Sequence, residues 1–222
     1  MDRAERLFSI QRARDGLPSG QFDLPHLQSI HHHLFQDVYE WAGEVRQVDF
    51  HKGGRWFHPC DRINIAMDDV HKRLTDQDHL KQQSPEGFSN GAGVIIGDIN
   101  LVHPFREGNG RTQLQYLKQL GAQVGHDIDI RAFEGENWIY ASIEANKANY
   151  EPMQECIHKS ITPPIREKEQ MQGDALKAKE YLPEAAYATG IEIEEHGIAP
   201  AQEEIQEPGI ATDAGLEKGM ER

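Results

Sequence analysis

The chain has 222 residues and carries 37 acidic against 23 basic side chains, which gives a formal net charge of −14. General nucleic-acid binding needs a basic face, so we expect no DNA partner for such an acidic chain. Its two cysteines are too few for a disulfide framework or a paired zinc motif. No stretch is long and apolar enough to span a membrane and no signal peptide opens the chain, so we expect a cytoplasmic protein.

Helices dominate the first 160 residues. Apolar side chains recur there at steps of three and four, which is typical of amphipathic helices that bury one face. These apolar faces span residues 27–41, 63–74, 94–102, 114–124 and 138–146. The third of them leads directly into His103. The pattern predicts an all-α domain.

One segment departs from the helical pattern. Residues 45–50 alternate apolar and polar side chains, as a short strand does. The next residues, Lys52-Gly53-Gly54, predict a turn, and 55–57 predict a return strand, because glycine accommodates the backbone of hairpin turns. We therefore expect a β-hairpin here. Taken alone, such a hairpin is also compatible with a surface feature that has no function.

The composition changes near residue 163. Residues 164–222 contain 6 basic against 14 acidic side chains, and proline and glycine recur among them. Large apolar residues are sparse and follow no sustained period. The sequence therefore predicts a folded domain at 1–163 and an acidic, largely disordered tail at 164–222, with one short helix around 174–181. The tail is either a solvated extension or a segment that binds a partner.

Three consecutive histidines, His31, His32 and His33, invite comparison with a metal site. Successive positions on a helix point about 100° apart, so these three side chains cannot converge on one ion. We expect them to have packing or surface roles.

The densest chemistry lies in residues 103–111, with the sequence HPFREGNGR. Gly108, Asn109 and Gly110 predict a turn whose successive N–H groups point at an anion, because glycine takes positive φ at little cost. The residues that follow predict a helix. The turn therefore occupies a helix N-terminus, where orphan N–H groups and the helix dipole favour a phosphate.

Three ionisable side chains flank this turn. Arg111 can clamp phosphate oxygens with its rigid fork of donors. Glu107 offers a hard oxygen ligand suited to a phosphate-bound Mg²⁺. His103 has an unperturbed pKa near neutrality and can accept the proton of an attacking hydroxyl. A simple helix-start turn would explain the glycines but not these three side chains together.

The order of these residues resembles the signature of the Fic family, His-x-Phe-x-Asp/Glu-Gly-Asn-Gly-Arg-x-x-Arg. The match runs from His103 to Arg111 and ends at Leu114, where the family has a second arginine. The resemblance implies a Fic-type helical bundle in which the hairpin is a flap over the active site. It also implies a protein adenylyltransferase, which moves AMP from ATP onto a Tyr, Thr or Ser hydroxyl of a target protein.

The resemblance assigns a role to each matching residue. His103 is the general base and Glu107 holds Mg²⁺. The phosphates of ATP are bound by Gly108, Asn109, Gly110 and Arg111. Adenine and ribose are contacted in similar proteins at the positions of Trp138 and Asn146. An extended target segment docks by strand addition on the flap, to which the resemblance assigns Lys52, Gly53, Gly54 and Phe57.

Leu114 leaves alternatives open, because leucine cannot supply the charge that contacts the terminal phosphates. Arg106 or a partner residue could replace that charge, or the donor could carry UMP, phosphocholine or phosphate instead of AMP. A degenerate domain that binds nucleotide without transferring it is another alternative.

Regulation and location are also implied by the resemblance. Similar proteins often carry an inhibitory helix with the pattern Ser/Thr-x-x-x-Glu-Gly/Asn, and this pattern is found at neither end of the chain. A separate antitoxin protein is therefore expected. Similar proteins are mostly bacterial, and some are delivered into host or recipient cells. The resemblance therefore implies a bacterial protein that either stays in the cytoplasm or is delivered into such a cell.

Overall fold

The computed structural model describes residues 3–52, 54–133 and 135–162. Within these ranges it contains seven α-helices and four two-residue strands. In chain order they are α1 (Arg3–Arg14), α2 (Leu24–Phe35), β1 (His51–Lys52), β2 (Arg55–Trp56), α3 (Ile63–Asp76), α4 (Pro85–Val102), α5 (Asn109–Gln123), β3 (Asp127–Ile128), α6 (Gly135–Ala145), α7 (Glu151–Ser160) and β4 (Ile161–Thr162). The all-α class predicted from the sequence is confirmed.

Helix α4 lies at the centre of the bundle and packs against α3, α5, α6 and α7. Ser84 caps its start by accepting a hydrogen bond from the N–H of Gly87 at 3.1 Å, and Pro85 follows where a missing N–H costs nothing. Apolar side chains cover α4 on several sides, which is typical of a buried helix. This central helix ends at the first residue of the signature loop.

Two glycines let α7 approach the backbone of α4 closely. A Cβ atom built on Gly93 would lie 3.0 Å from the backbone of Gln154, and one built on Gly97 would lie 2.8 Å from the ring of Tyr150. The Tyr150 hydroxyl donates to Asp98 at 2.6 Å, and Arg73 donates to the same carboxylate at 2.6 Å. Helix α4 is therefore joined to α7 by close packing, and to α3 and the residue before α7 by one shared carboxylate.

The expected β-hairpin is present, but its first strand lies elsewhere. Strands β1 and β2 pair antiparallel, with His51 opposite Trp56 and Lys52 opposite Arg55. The prediction of a strand over 45–50 was wrong. Arg46 is a buried side chain there, and its N–H donates to the carbonyl of Pro104 at 2.9 Å instead of to a neighbouring strand. The alternation of apolar and polar residues at 45–50 therefore does not reflect a strand.

Four of the five predicted apolar faces each lie on a single helix. The apolar faces around 63–74, 94–102, 114–124 and 138–146 lie on α3, α4, α5 and α6, whereas the first face ends at Phe35 instead of continuing to Trp41. Strands β3 and β4 pair beside α5 and α7, which the sequence did not predict. None of the described helices has the length and apolar character needed to cross a membrane. The predicted tail at 164–222 lies outside the described residues, and the domain boundary stays a prediction.

We expect Gly93→Ala to lower the free energy of unfolding by about 1–3 kcal/mol, because the added methyl group overpacks the backbone of Gln154. Gly87→Ala is the matched control on the same helix, since the added methyl group there meets the movable end of the Gln83 side chain. Urea denaturation measures both variants. Equal stability of the two variants would contradict the role given to Gly93.

Candidate active site

His103 ends helix α4 in a left-handed conformation, with φ 49° and ψ 62°. Its N–H still donates to the carbonyl of Ile99 at 2.9 Å, so it completes the last turn of the helix. A non-glycine residue in this region costs on the order of 1 kcal/mol and persists only where its surroundings hold it. The backbone at the predicted base is therefore set by tertiary contacts.

The imidazole of His103 lies between the flap and α4. It stacks on the ring of Phe57, with centroids 3.9 Å apart and planes inclined by 15°. Nδ1 lies 3.3 Å from the carbonyl of Asn100, which assigns the proton to Nδ1 and leaves Nε2 as the basic nitrogen. Nε2 is buried and has no hydrogen-bond partner among the described residues. An orphaned buried polar atom of this kind is typical of a functional site.

Burial lowers the pKa of His103 to about 3. The carbonyl of Asn100 opposes this shift, and the positive charges of Arg46 and Lys52 add to it. The imidazole is therefore neutral at pH 7, which is the form that accepts a proton.

Asn109 closes the loop on itself. Its Oδ1 accepts from the N–H of Phe105 at 3.0 Å, and its Nδ2 donates to the carbonyl of the same residue at 2.8 Å. The Phe105 ring is buried in the core. The side chain of Asn109 thus holds the loop in shape, and the group it leaves for an anion is its backbone N–H.

His31 supports the same loop from helix α2. Its Nε2 donates to the carbonyl of Glu107 at 2.9 Å, its Nδ1 accepts from the N–H of Gly43 at 2.8 Å, and its ring stacks on Phe105 with centroids 4.0 Å apart. Burial lowers the pKa of His31 to about 4, so the ring stays neutral. The packing role expected for His31 is confirmed, but its contact with the loop was not predicted, because the sequence does not show which turn a buried histidine faces.

Helix α5 begins at the predicted anion turn. Gly108 has φ +79°, and a Cβ atom there would lie 2.5 Å from the ring of Phe35, so both conformation and space require glycine. The N–H of Thr112 donates to the carbonyl of Gly108 at 3.0 Å and starts the helical ladder. The N–H groups of Asn109, Gly110 and Arg111 precede that ladder, as at any helix start.

Arg111 is fully buried beneath the turn. Its Nη2 pairs with the carboxylate of Glu5 on α1, its Nη1 lies 3.4 Å from Ser9 Oγ, and its guanidinium lies 4.4 Å from the centre of the Phe35 ring. The carboxylate of Glu107 is 3.5 Å from Nη2. The expected phosphate clamp stays a prediction, because in this structure the guanidinium faces two carboxylates. Glu5 lies 106 residues away in sequence, and no local pattern indicates this contact.

Glu107 is the carboxylate of the loop that reaches the surface, with a side chain 25% exposed. Its Oε1 accepts from the N–H of Gly108 at 3.0 Å. The described residues contain no cluster of three or more His, Cys, Asp or Glu side chains that could hold a metal. A hard cation at Glu107 would therefore take its other ligands from a bound nucleotide and water, as Mg²⁺ commonly does.

The flap covers the imidazole. The N–H of Phe57 donates to the carbonyl of Phe50 at 3.0 Å, which extends the pairing of β1 and β2 by one hydrogen bond. Burial lowers the pKa of Lys52, and the negative charge of Glu107 opposes that shift. Gly54 has φ +76° in the turn, and Gly53 lies outside the described residues. Among the residues predicted for the flap, Phe57 contacts His103, and the charge of Lys52 acts on both His103 and Glu107.

The two residues predicted for the base and sugar differ in accessibility. The ring of Trp138 is 4% exposed and packs edge-on against Phe133, with centroids 4.7 Å apart. Its adenine contact stays a prediction that this geometry does not favour. Asn146 Oδ1 accepts from Asn100 Nδ2 at 2.9 Å, and the carbonyl of Asn100 faces His103. Asn100 thus links the predicted ribose residue to the imidazole, a link that the sequence did not show.

The fold and the loop together define a Fic domain. The profile of the Fic/DOC family matches residues 21–120. The probable protein adenylyltransferase y4lH of Sinorhizobium fredii is 38% identical over 162 residues, which cover 72% of this chain and 84% of that protein. The chain belongs to the Fic/DOC family. It is an enzyme of the nucleotidyltransferase kind, since several relatives bear the name protein adenylyltransferase.

Further relatives are larger proteins or solved domains. Protein adenylyltransferase VbhT of Bartonella schoenbuchensis is 37% identical over 166 residues, which cover 73% of this chain but 34% of VbhT. The N-terminal Fic domain of a VirB-translocated Bep effector protein from Bartonella quintana, solved with bound ADP, gives a TM-score of 0.67 at 30% identity over 72% of this chain and 82% of that one. BepC of Bartonella tribocorum, solved with bound AMPPNP, gives a TM-score of 0.65 at 25% identity. The match covers 72% of this chain and 84% of that one. The expected Fic-type bundle with a hairpin is confirmed.

We expect Glu5→Ala to lower the free energy of unfolding by about 3–5 kcal/mol, because it removes the carboxylate that faces a fully buried cation. Glu5→Gln keeps a hydrogen-bond acceptor for Arg111, so its free energy of unfolding should fall less than that of Glu5→Ala. Glu40→Ala replaces an exposed glutamate and is the control for the loss of one acidic group. Chemical denaturation that found Glu5→Ala as stable as Glu40→Ala would rule out the buried pair.

Proposed function

We propose that the protein transfers AMP from ATP to a Tyr, Thr or Ser hydroxyl of a target protein, with His103 as the general base. The observation that carries this proposal is the buried Nε2 of His103, which lacks a partner among the described residues and adjoins a loop that ends at a helix N-terminus. Relatives named protein adenylyltransferase, and related domains solved with ADP and AMPPNP, support the choice of donor.

In the proposed reaction the phosphates of ATP lie over Gly108, Asn109 and Gly110 and accept from the N–H groups of Asn109 and Gly110, because the N–H of Gly108 already donates to Glu107. The target hydroxyl oxygen attacks the α-phosphorus and gives its proton to Nε2 of His103. The bond from the α-phosphorus to the bridging oxygen breaks, and pyrophosphate leaves. Glu107 would hold Mg²⁺, which neutralises phosphate charge when bound. The protein mainly positions groups and stabilises charge.

A base whose pKa lies near 3 is weak in the free protein. The same burial that lowers the pKa of His103 also places Nε2 in surroundings where charges interact strongly. Bound phosphates carry negative charge, which favours the protonated imidazole and raises its pKa. Proton transfer to His103 is therefore coupled to the presence of the nucleotide.

The target segment docks along the hairpin in this proposal. Strands β1 and β2 form a two-stranded sheet, and we propose that an extended peptide adds to its edge by backbone hydrogen bonds. Phe57 of the hairpin stacks on His103, so a peptide paired with the flap is placed beside the base. Trp56 is 54% exposed on the hairpin and offers an apolar contact for the peptide.

Partners and regulation extend the proposal. No helix pattern of the inhibitory kind occurs in the sequence, so we assign restraint of the activity to a separate antitoxin protein. Several related domains come from VirB-translocated effector proteins, which favours a target in a recipient cell.

His103→Ala is expected to lower the rate of AMP transfer by about 100-fold or more, because general-base catalysis is lost. The full chain is incubated with Mg-ATP labelled on the α-phosphate and with bacterial and host lysates, and label on protein and intact mass are measured. His32→Ala, on an exposed position of α2, is the control.

Each outcome of this experiment is informative. AMP transfer by the wild type that persists in a folded His103→Ala variant would exclude the histidine as base. A mass gain equal to UMP, phosphocholine or phosphate would replace AMP with another donor group. Nucleotide binding without any adduct would favour the degenerate domain that Leu114 suggests.

We expect Leu114 to reduce the rate of AMP transfer. Its side chain is fully buried in the core on α5, so it cannot contact a charged ligand as arginine would. Arg106, one of the cations expected to compensate, lies over the ring of Trp41 at 5.3 Å. Lys52 is a further candidate, because its charge interacts with Glu107 and His103.

We expect Leu114→Arg to increase AMP transfer and to reduce stability, because a charge enters a buried site. Leu114→Met conserves the volume of the side chain, so it should lower the free energy of unfolding by less than about 1.5 kcal/mol. It should leave the rate of AMP transfer unchanged. Adduct formation and thermal unfolding are measured for both variants. If folded Leu114→Arg transfers no more AMP than Leu114→Met, then the missing arginine charge does not limit the rate of AMP transfer.

A further inference from the structure

Arg46 is a buried arginine that the mechanism above does not use. Its side chain is 1% exposed and lies between the base of the flap and the end of α4. Nε donates to the carbonyl of His103 at 2.7 Å, and Nη2 donates to the carbonyl of Val102 at 3.1 Å. The backbone N–H of Arg46 donates to the carbonyl of Pro104 at 2.9 Å. One residue thus holds three consecutive carbonyls, with the predicted base in the middle.

The other donors of Arg46 hold the flap. Nη1 donates to the carbonyl of Val48 at 2.7 Å, and Nη2 also donates to the carbonyl of His58. Val48 precedes β1 and His58 follows β2, so these contacts lie at the two ends of the hairpin. The N–H of His58 in turn donates to the carbonyl of Leu101 at 3.1 Å. The guanidinium therefore joins the hairpin to the last turn of α4.

A fully buried charge is costly unless it is paired or well hydrogen-bonded. The carboxylate of Asp49 lies 3.8 Å from Nη1, which is beyond hydrogen-bond distance. Carbonyl dipoles compensate this cation instead, and two of them belong to the C-terminal end of α4, where the helix dipole is negative. An arginine suits this place because its planar fork carries five donors, whereas lysine offers three donors at one point.

We propose that Arg46 is a positioning residue, which holds His103 in its left-handed conformation and keeps the flap in register with the imidazole. The contacts on Val102, His103 and Pro104 fix the peptide planes on both sides of the base. The contacts on Val48 and His58 fix the hairpin whose Phe57 stacks on the same ring. The catalytic consequence of this proposal rests on the proposed function, but the structural consequence does not.

Arg46→Lys in the full chain tests the proposal, with Arg12→Lys as the control for a partly exposed arginine that pairs with Asp37. Three experiments are made on both variants: steady-state kinetics that give kcat and KM for ATP, an NMR titration of the His103 imidazole, and an unfolding curve that gives the midpoint. We expect kcat to fall by about 100-fold, because a displacement of the base near 1 Å has that effect. KM for ATP should change little, since Arg46 contacts neither Glu107 nor residues 108–111 in the described structure.

The NMR titration separates positioning from simple loss of stability. In the wild type the His103 signals should not titrate between pH 5 and 8, because burial keeps the pKa of the ring near 3. In folded Arg46→Lys we expect the ring to gain contact with water and to titrate within that range. A folded variant whose His103 titration and kcat both match the wild type would overturn the proposal.

A measurement on the wild type covers the case in which Arg46→Lys does not fold. The Nε–H of Arg46 should be strongly protected against hydrogen exchange, because it donates to His103 in a buried site. Exchange as fast as that of the exposed Arg62 would overturn the proposal. A titration shift in Arg46→Lys without any AMP transfer by the wild type would support positioning while the proposed function fails, so the two failures are distinguishable.

Discussion

The end of helix α4 is the constraint on which the site depends. A helix leaves its last carbonyls without partners, and inside a protein those groups must find donors. Here α4 ends in the interior, next to the residue that bears the predicted catalytic imidazole. Arg46 supplies donors to this end, and it comes from the segment that leads into the hairpin. The interaction that lets the helix stop therefore also places the flap beside His103.

The rest of the loop is held by contacts of the same kind. Asn109 binds both polar groups of one backbone residue, His31 fixes the carbonyl of Glu107, and Gly108 packs on the ring of Phe35. None of these contacts uses the groups assigned to chemistry. The turn at 108–110 and Nε2 of His103, for which we propose anion binding and proton transfer, are thus held in place by the fold itself, which is what electrostatic preorganisation requires.

The sequence predicted those features that a short segment determines. Helical periodicity located most of the central helices, and the spacing of His103, Glu107 and Gly108 located the loop and the helix that follows. The same reasoning placed a strand over 45–50, because it counted Arg46 as a polar, exposed position, whereas this side chain is buried. The adenine contact of Trp138 came from the family resemblance and stays a prediction, and this ring packs in the core. Periodicity shows that a side chain is buried or exposed but does not identify its neighbour.

Contacts between segments that are distant in the sequence could not be predicted, for a physical reason. Arg46 and His103 are 57 residues apart, and Glu5 and Arg111 are 106 apart. Only the packing of several helices brings such pairs together, and no local propensity encodes their distance. Charged residues in helices or loops are mostly solvated, so Glu5 and Arg46 carry no mark in the sequence that separates them from their exposed neighbours.

The pairing of Glu5 with Arg111 has a consequence for what counts as the domain. The family profile begins at residue 21, yet α1 spans Arg3–Arg14 and supplies a buried carboxylate to an arginine of the signature. A fragment trimmed to the profile would keep every signature residue and lose the carboxylate of Glu5, which pairs with Arg111 beneath the turn at 108–110. The part of the chain that encloses the signature arginine is therefore wider than the part that the family profile matches, and α1 belongs with the signature in any fragment made to study it.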